Sequence, residues 1–137
     1  MSLRIVSTGS GPDVALLHGW GLGAGVWEAT TARLSASCRV HTISLAGYDG
    51  QPADDLDFAG TAATLADQLP AGCTICGWSL GGILALSAAA QRPLHVGRLI
   101  LVSTTPRFVQ DADWLHAQAP ALLDGFRSAV TSDAKAT

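Results

Sequence analysis

Cys73-Thr74-Ile75-Cys76-Gly77-Trp78-Ser79-Leu80-Gly81-Gly82, running on into Ile83-Leu84-Ala85-Leu86-Ser87-Ala88-Ala89-Ala90, is the stretch that decides the fold. A short apolar run meets Gly-x-Ser-x-Gly, and a helix-forming run follows. That reads as strand, very tight turn, helix. A serine at the tip of such a turn is exposed, and glycine two residues to either side lets strand and helix pass without a Cβ clash. The helix N-terminus behind the serine favours negative charge developing next to it. An ordinary glycine-rich turn can carry the same five residues. The strand before and the helix after set this one apart as a nucleophile elbow, with Ser79 as the candidate catalytic residue.

On the N-terminal side, Leu3 to Ser7 is a short strand candidate, closed by the turn Thr8-Gly9-Ser10-Gly11-Pro12-Asp13. Val14-Ala15-Leu16-Leu17 is continuously apolar, as a strand buried on both faces must be. It enters a glycine-dense loop, His18 to Gly25, and the spacing predicts a helix over Val26–Ala36 with Val26, Ala29, Ala32 or Arg33, and Ala36 near one face. A strand, Arg39 to Ile43, a loop from Ser44 to Asp57, and a helix over Phe58–Leu69 with Asp57 as N-cap lead back to the elbow strand.

On the C-terminal side, Arg92-Pro93 breaks the elbow helix, and Gly97 to Ser103 is the last clear strand. Asp111 to Ala136 carries no strand signal, and an amphipathic helix is expected from Pro120. Alternating strands and helices predict an α/β fold, a mainly parallel sheet with helices on both faces.

Composition agrees. The 137 residues suggest one domain, and 48% hydrophobic content against 14% charge describes a core-former. A formal net charge of -3 makes no electrostatic case for nucleic acid or an anionic membrane. No apolar run approaches the roughly 20 residues of a membrane span, and Met1-Ser2-Leu3-Arg4-Ile5 does not open a secretory signal. Cys73-x-x-Cys76 has redox or metal spacing, but it lies in a buried strand with no second ligand pair. Core cysteines and no metal are expected.

An acyl-transfer serine needs donors aimed at its oxyanion. One is the backbone N–H after the nucleophile, here Leu80. The other comes from the loop after an early strand, where His18-Gly19-Trp20-Gly21 offers the Trp20 N–H, with the Trp20 ring walling an acyl pocket. His18, at a strand end, is expected to brace this loop by hydrogen bonds and not to serve as a base. The same loop matches a dinucleotide fingerprint, Gly19-x-Gly21-x-x-Ala24. Its context fails: the helix is expected too late, near Val26, and no acidic residue follows the strand ending at Ile43-Ser44.

With both motifs in hand, the chain resembles the α/β-hydrolase superfamily, and more narrowly its pimeloyl-[acyl-carrier protein] methyl ester carboxylesterases. Leu16-Leu17-His18-Gly19-Trp20-Gly21-Leu22, Val26-Trp27 and Gly77-Trp78-Ser79-Leu80-Gly81-Gly82 carry the resemblance. Ser103 to Phe108, Trp114 and Leu122 to Phe126 lend weaker support. The resemblance implies Ser79 as nucleophile, Trp20 and Leu80 as oxyanion donors, and Trp20 and Trp78 along the substrate. It implies hydrolysis of the methyl ester of pimeloyl-acyl-carrier protein in biotin biosynthesis, without a cofactor and in the cytoplasm. Residues 1–110 would be the N-terminal part of the hydrolase core. Residues 111–137 would begin a helical cap after the family's sixth strand; Arg107, Arg127 and Lys135 could meet an acidic carrier, but isolated surface charges of this kind are usually just solvated.

Two departures stand out. Leu45-Ala46-Gly47-Tyr48-Asp49-Gly50 replaces the family's Leu-Pro-Gly-aromatic-Gly, and Ala46 and Asp49 are expected to alter the turn without touching a catalytic role. The triad acid and histidine, which follow the cap in the family, have no counterpart: Ser103, Thr104 and Thr105 fill an alternative acid position, and neither His95 nor His116 matches. Leu99 to Val102, apolar on both faces, has no later strand to pair with. The expectation is the N-terminal half of a hydrolase, inactive or nearly so alone. A generic carboxylesterase or thioesterase, or a non-catalytic binding protein on that scaffold, are the alternatives.

Overall fold

The computed structural model describes residues 3–53 and 55–133. The chain divides into two compact units between Thr104 and Thr105. The first holds β1 (Arg4–Thr8), β2 (Asp13–Leu17), β3 (Arg39–Ser44), β4 (Cys73–Trp78) and β5 (Val96–Val102) in one sheet ordered β1-β3-β2-β4-β5. β1 runs antiparallel to β3, and every other pairing is parallel. The described residues therefore hold five strands, the number read along the sequence, and the strand counted as the family's sixth is β5.

Helices α1 (Glu28–Leu34), α2 (Phe58–Gln68) and α3 (Leu80–Gln91) cover the sheet. β2 shows why its run is continuously apolar. Ala15 and Leu17 join Ile43, Ile75, Leu65 and Leu84 in the core under α2 and α3, while Leu16 packs with Val40, Cys76, Trp27 and Leu34 on the other side. Successive side chains point to opposite faces, and both faces are dry. The α2/α3 side is the larger core. Each fully buried Leu or Ile there contributes about 1.5–3 kcal/mol.

α2 buries Ala62, Leu65 and Ala66, the stripe of a period of 3.6 residues, and opens as expected at Asp57. The Gly60 N–H donates to Asp57 Oδ1 at 2.7 Å. Asp57→Ala should therefore cost about 1 kcal/mol, read as a lower urea midpoint with an unchanged slope. An unchanged midpoint would show that the cap contributes nothing.

The helix expected over Val26–Ala36 is shorter and starts differently. A 3-10 turn spans Ala24–Trp27, and α1 begins only at Glu28. The turn rotates the inward face, so that Trp27 and Leu34 pack on the sheet and Thr31 meets Thr42. Val26 is left exposed. The far end closes early, with the Cys38 N–H donating to Leu34 O at 2.8 Å.

β5 is an edge of the sheet, with Ile100, Leu101 and Val102 at 49%, 43% and 38% exposure. The open apolar edge read from the sequence is present among the described residues. Cys73 and Cys76 are buried core thiols, and burial pushes Cys73 up to about 11. A thiol so rarely ionised at neutral pH is a poor redox nucleophile.

The second unit has isolated bridges, Val109 to Gln118 and Asp111 to Trp114, followed by α4 (Pro120–Asp133). Arg107 pairs with Asp111 and with Asp113, and the Trp114 indole N–H donates to Arg107 O at 3.0 Å. The Arg107 charge is thus engaged within its own unit. Lys135 lies outside the described residues. No described helix is long and apolar enough to cross a membrane.

Candidate active site

Ser79 stands between β4 and α3 at φ 52 and ψ -114, a conformation an L-residue adopts only under constraint. The constraint is visible on every side. The Ser79 N–H donates to Val102 O at 2.9 Å, and its carbonyl accepts from the Gly82 N–H at 2.9 Å and the Ile83 N–H at 3.2 Å. The Thr104 hydroxyl donates to the same carbonyl at 2.7 Å. Thr104 is a supporting residue the sequence reading missed, since nothing in a Ser-Thr-Thr run marks which hydroxyl turns back to the elbow.

The elbow glycines are required by contact. A Cβ at Gly77 would lie 2.4 Å from Gly81 O, and one at Gly81 would lie 2.7 Å from both His18 O and Leu17 O. A Cβ at Gly82 would meet the Thr104 side chain at 2.6 Å. These contacts draw β2, β4, α3 and Thr104, two residues past the end of β5, onto one point.

The loop after β2 reaches that point as well. A Cβ on Gly19 would touch Ser79 Cβ and Trp78 O, each at 3.4 Å. His18 is fully buried, with Nδ1 2.9 Å from Gly19 O and Nε2 3.2 Å from the Leu45 nitrogen. The Leu45 N–H can only donate, so Nε2 accepts it and Nδ1 carries the proton given to Gly19 O. His18 braces the loop, as expected.

The loop over 45–50 does more than turn. Besides the Leu45 bond, the Tyr48 hydroxyl accepts the Gly21 N–H at 3.1 Å, and the Tyr48 ring packs on His18 with centroids 4.6 Å apart. Asp49 Oδ2 accepts the Ala24 N–H at 3.0 Å from a backbone at φ 52. Asp49 thus does more than shape its own turn. Its carboxylate ties this loop to the one beside Ser79 and sets the start of the 3-10 turn. The same placement removes the dinucleotide reading, since Gly21 opens no helix.

The Ala24 N–H, with the Ser44 hydroxyl adding to it, holds the Asp49 carboxyl below its ordinary 3.8. A depressed folded value means the stabilisation is complete above the unfolded pKa and is lost as pH falls through the folded one. The Ala24 amide should therefore keep its protection from hydrogen exchange, measured against an unstructured chain at the same pH, until pH falls below 3.8, and lack that protection at every pH in Asp49→Ala. Equal protection in both proteins would contradict the clamp.

Trp20 is half exposed. Trp78 meets Trp27 edge-on, with ring centroids 6.3 Å apart. A cavity of about 330 Å³ lies beside the elbow, lined by Leu80, Leu84, Leu45, Tyr48, Leu56 and Phe58 among others. A larger one, about 470 Å³, sits on the α1 side of β1 and β3 with a polar rim of Arg4, Glu28 and Asp49. Only the smaller touches the residue after Ser79.

All four histidines of the sequence have partners of their own. His18 holds Gly19 and Leu45, His41 bonds Ser7 and Asp13, His95 bonds Leu69 O at 2.8 Å, and His116 meets Trp114 edge-on. The serine elbow and its neighbouring loop are assembled; a basic partner for Ser79 is not among these contacts.

A parallel sheet with this strained Gly-Trp-Ser-Leu-Gly elbow defines the class, and the alpha/beta hydrolase family model matches residues 14–136; the chain belongs to that family. Among curated relatives, it is similar to a pimeloyl-[acyl-carrier protein] methyl ester esterase of Nitrosomonas europaea, 38% identical over 133 residues that cover 96% of this chain and 53% of the relative. The enzyme of the same description from Chromobacterium violaceum is 42% identical over 125 residues, covering 90% of this chain and 49% of its own. Among solved structures, an esterase from Exiguobacterium antarcticum superposes with a TM-score of 0.85 at 25% identity, covering 96% of this chain and 52% of that one. The chain spans about half the length of the curated relatives it matches.

Proposed function

We propose that the whole protein is a serine carboxylesterase that hydrolyses the methyl ester of a pimeloyl chain on acyl carrier protein through an acyl-serine at Ser79. The observation that carries this reading is the Ser79 backbone at φ 52, held at a β4–α3 turn with the Gly19 loop against it. The substrate follows from the similarity to the Nitrosomonas europaea and Chromobacterium violaceum enzymes.

In this mechanism Ser79 Oγ attacks the ester carbonyl, and the Leu80 and Trp20 N–H groups receive the oxyanion. The N-terminus of α3 adds its partial positive charge at the same place. Methanol leaves, and water releases the free carboxylate from the acyl-serine. The apolar cavity beside Leu80 and Leu84 takes the acyl chain, with Trp20 and Trp78 as the aromatic residues at its approach. The second unit is read as the beginning of a helical cap. None of the steps calls on a metal or a cofactor, and the setting we expect is the cytoplasm.

An unactivated serine hydroxyl is barely ionised at neutral pH, so Ser79 needs a base that the four histidines here do not supply. The 137 residues alone are accordingly expected to turn ester over slowly or not at all. The same observation favours a second reading, a non-catalytic binding protein on the hydrolase scaffold. The whole protein assayed with pimeloyl-acyl-carrier protein methyl ester, free dimethyl pimelate and a short aryl ester decides among them. A markedly higher kcat/KM for the carrier-linked ester is expected. Equal rates on all three would reduce the reading to a generic esterase, and no turnover of any would support the binding protein.

A further inference from the structure

Away from the elbow, the first unit assembles a second serine with a histidine and a carboxylate. Ser7 on β1 lies opposite His41 on β3 in the antiparallel register, and Asp13 opens β2, the strand on the other side of β3. Ser7 Oγ is 2.8 Å from His41 Nδ1, and His41 Nε2 is 2.7 Å from Asp13 Oδ1. His41 is 4% exposed, whereas Ser7 is exposed on an edge strand.

With Asp13 ionised and His41 in its neutral form, the partners set the tautomer. An ionised carboxylate only accepts, so His41 Nε2–H donates to Asp13, and the Nδ1 lone pair accepts the Ser7 O–H. That is a nucleophile in hydrogen-bond reach of a base that a third group orients, with the two ring nitrogens exchanged relative to the familiar serine triad. In register Ser7 and His41 lie level with Ala15 of β2 and Ile75 of β4, four residues before Ser79, and β3 and β2 stand between β1 and β4.

We propose that Ser7 is a second activated serine, independent of Ser79, that accepts the acyl group of small activated esters. In the step, a bond forms between Ser7 Oγ and the acyl carbon, and the ester C–O bond breaks. The Ser7 proton passes to His41 Nδ1 and then to the departing aryloxide, while Asp13 stabilises the imidazolium through Nε2–H. Neither cavity described above includes Ser7. The site therefore selects for a small acyl group on a good leaving group, and acyl-Ser7 is its product.

The test uses the Ser79→Ala chain with 4-nitrophenyl acetate and peptide mapping by mass spectrometry, so failure of either serine's reading leaves the other intact. An acetyl group on Ser7 is expected, formed about 10²-fold more slowly in Asp13→Asn and in His41→Asn. Asp13→Asn retains the shape and an acceptor at that position, and far-UV circular dichroism with the urea midpoint establishes that it is folded. An unmodified Ser7, or the same acetylation rate at Ser7 in folded Asp13→Asn, would overturn the proposal.

Discussion

Ser79→Ala in the whole protein should lower kcat for ester hydrolysis by about 10⁶-fold, to what substrate binding and the oxyanion donors supply alone. The expectation rests on geometry. The Oγ is carried by a backbone at φ 52, with α3 beginning at the next residue and the Gly19 loop in contact. An alanine keeps every main-chain bond to Val102, Gly82, Ile83 and Thr104, because none of them uses the hydroxyl. Stability should accordingly move by less than about 1 kcal/mol, which separates loss of chemistry from loss of fold. A variant that kept a tenth of wild-type kcat would remove Ser79 from the mechanism.

Gly77→Ala should have the largest effect on stability. The added methyl would lie 2.4 Å from Gly81 O, 2.5 Å from Gly81 C and 2.5 Å from Gly82 Cα. Those atoms are backbone, so no rotamer change relieves them, and β4 must part from α3. The cost is expected at about 3 kcal/mol or more, a large share of the roughly 5–15 kcal/mol of a typical domain. Gly125→Ala is the control: nothing lies within 4 Å of the new methyl in α4, and helix propensity favours alanine by about 0.8–1.0 kcal/mol. Urea unfolding of both checks the contrast. Equal midpoints would mean that the elbow tolerates a side chain there.

The β-strands were legible because their physics is local. Val14 to Leu17 is too continuously apolar to be surface, Leu99 to Val102 reads as strand from the same kind of run although it forms an open edge, and the Gly77-x-Ser79-x-Gly81 spacing encodes a steric requirement of the turn. Asp57 was readable for the same reason, since a cap acts within three residues. The 3-10 turn before α1 was not legible, because a carboxylate 25 positions away in sequence holds the Ala24 N–H at its start. Thr104 and Asp49 act on the elbow and its neighbouring loop through folded proximity alone. The Ser7–His41–Asp13 group depends on the register of an antiparallel edge strand, and residue patterns do not state a register. What the sequence made plain was the nucleophile's frame; what it hid was the network that holds that frame.

The most direct test of the central claim is a fluorophosphonate probe applied to the whole protein, with the modified residue identified by peptide mass mapping. The account predicts rapid stoichiometric labelling at Ser79, lost in Ser79→Ala and blocked by the pimeloyl methyl ester substrate. A folded protein whose Ser79 stays unlabelled while the probe reacts elsewhere would contradict it.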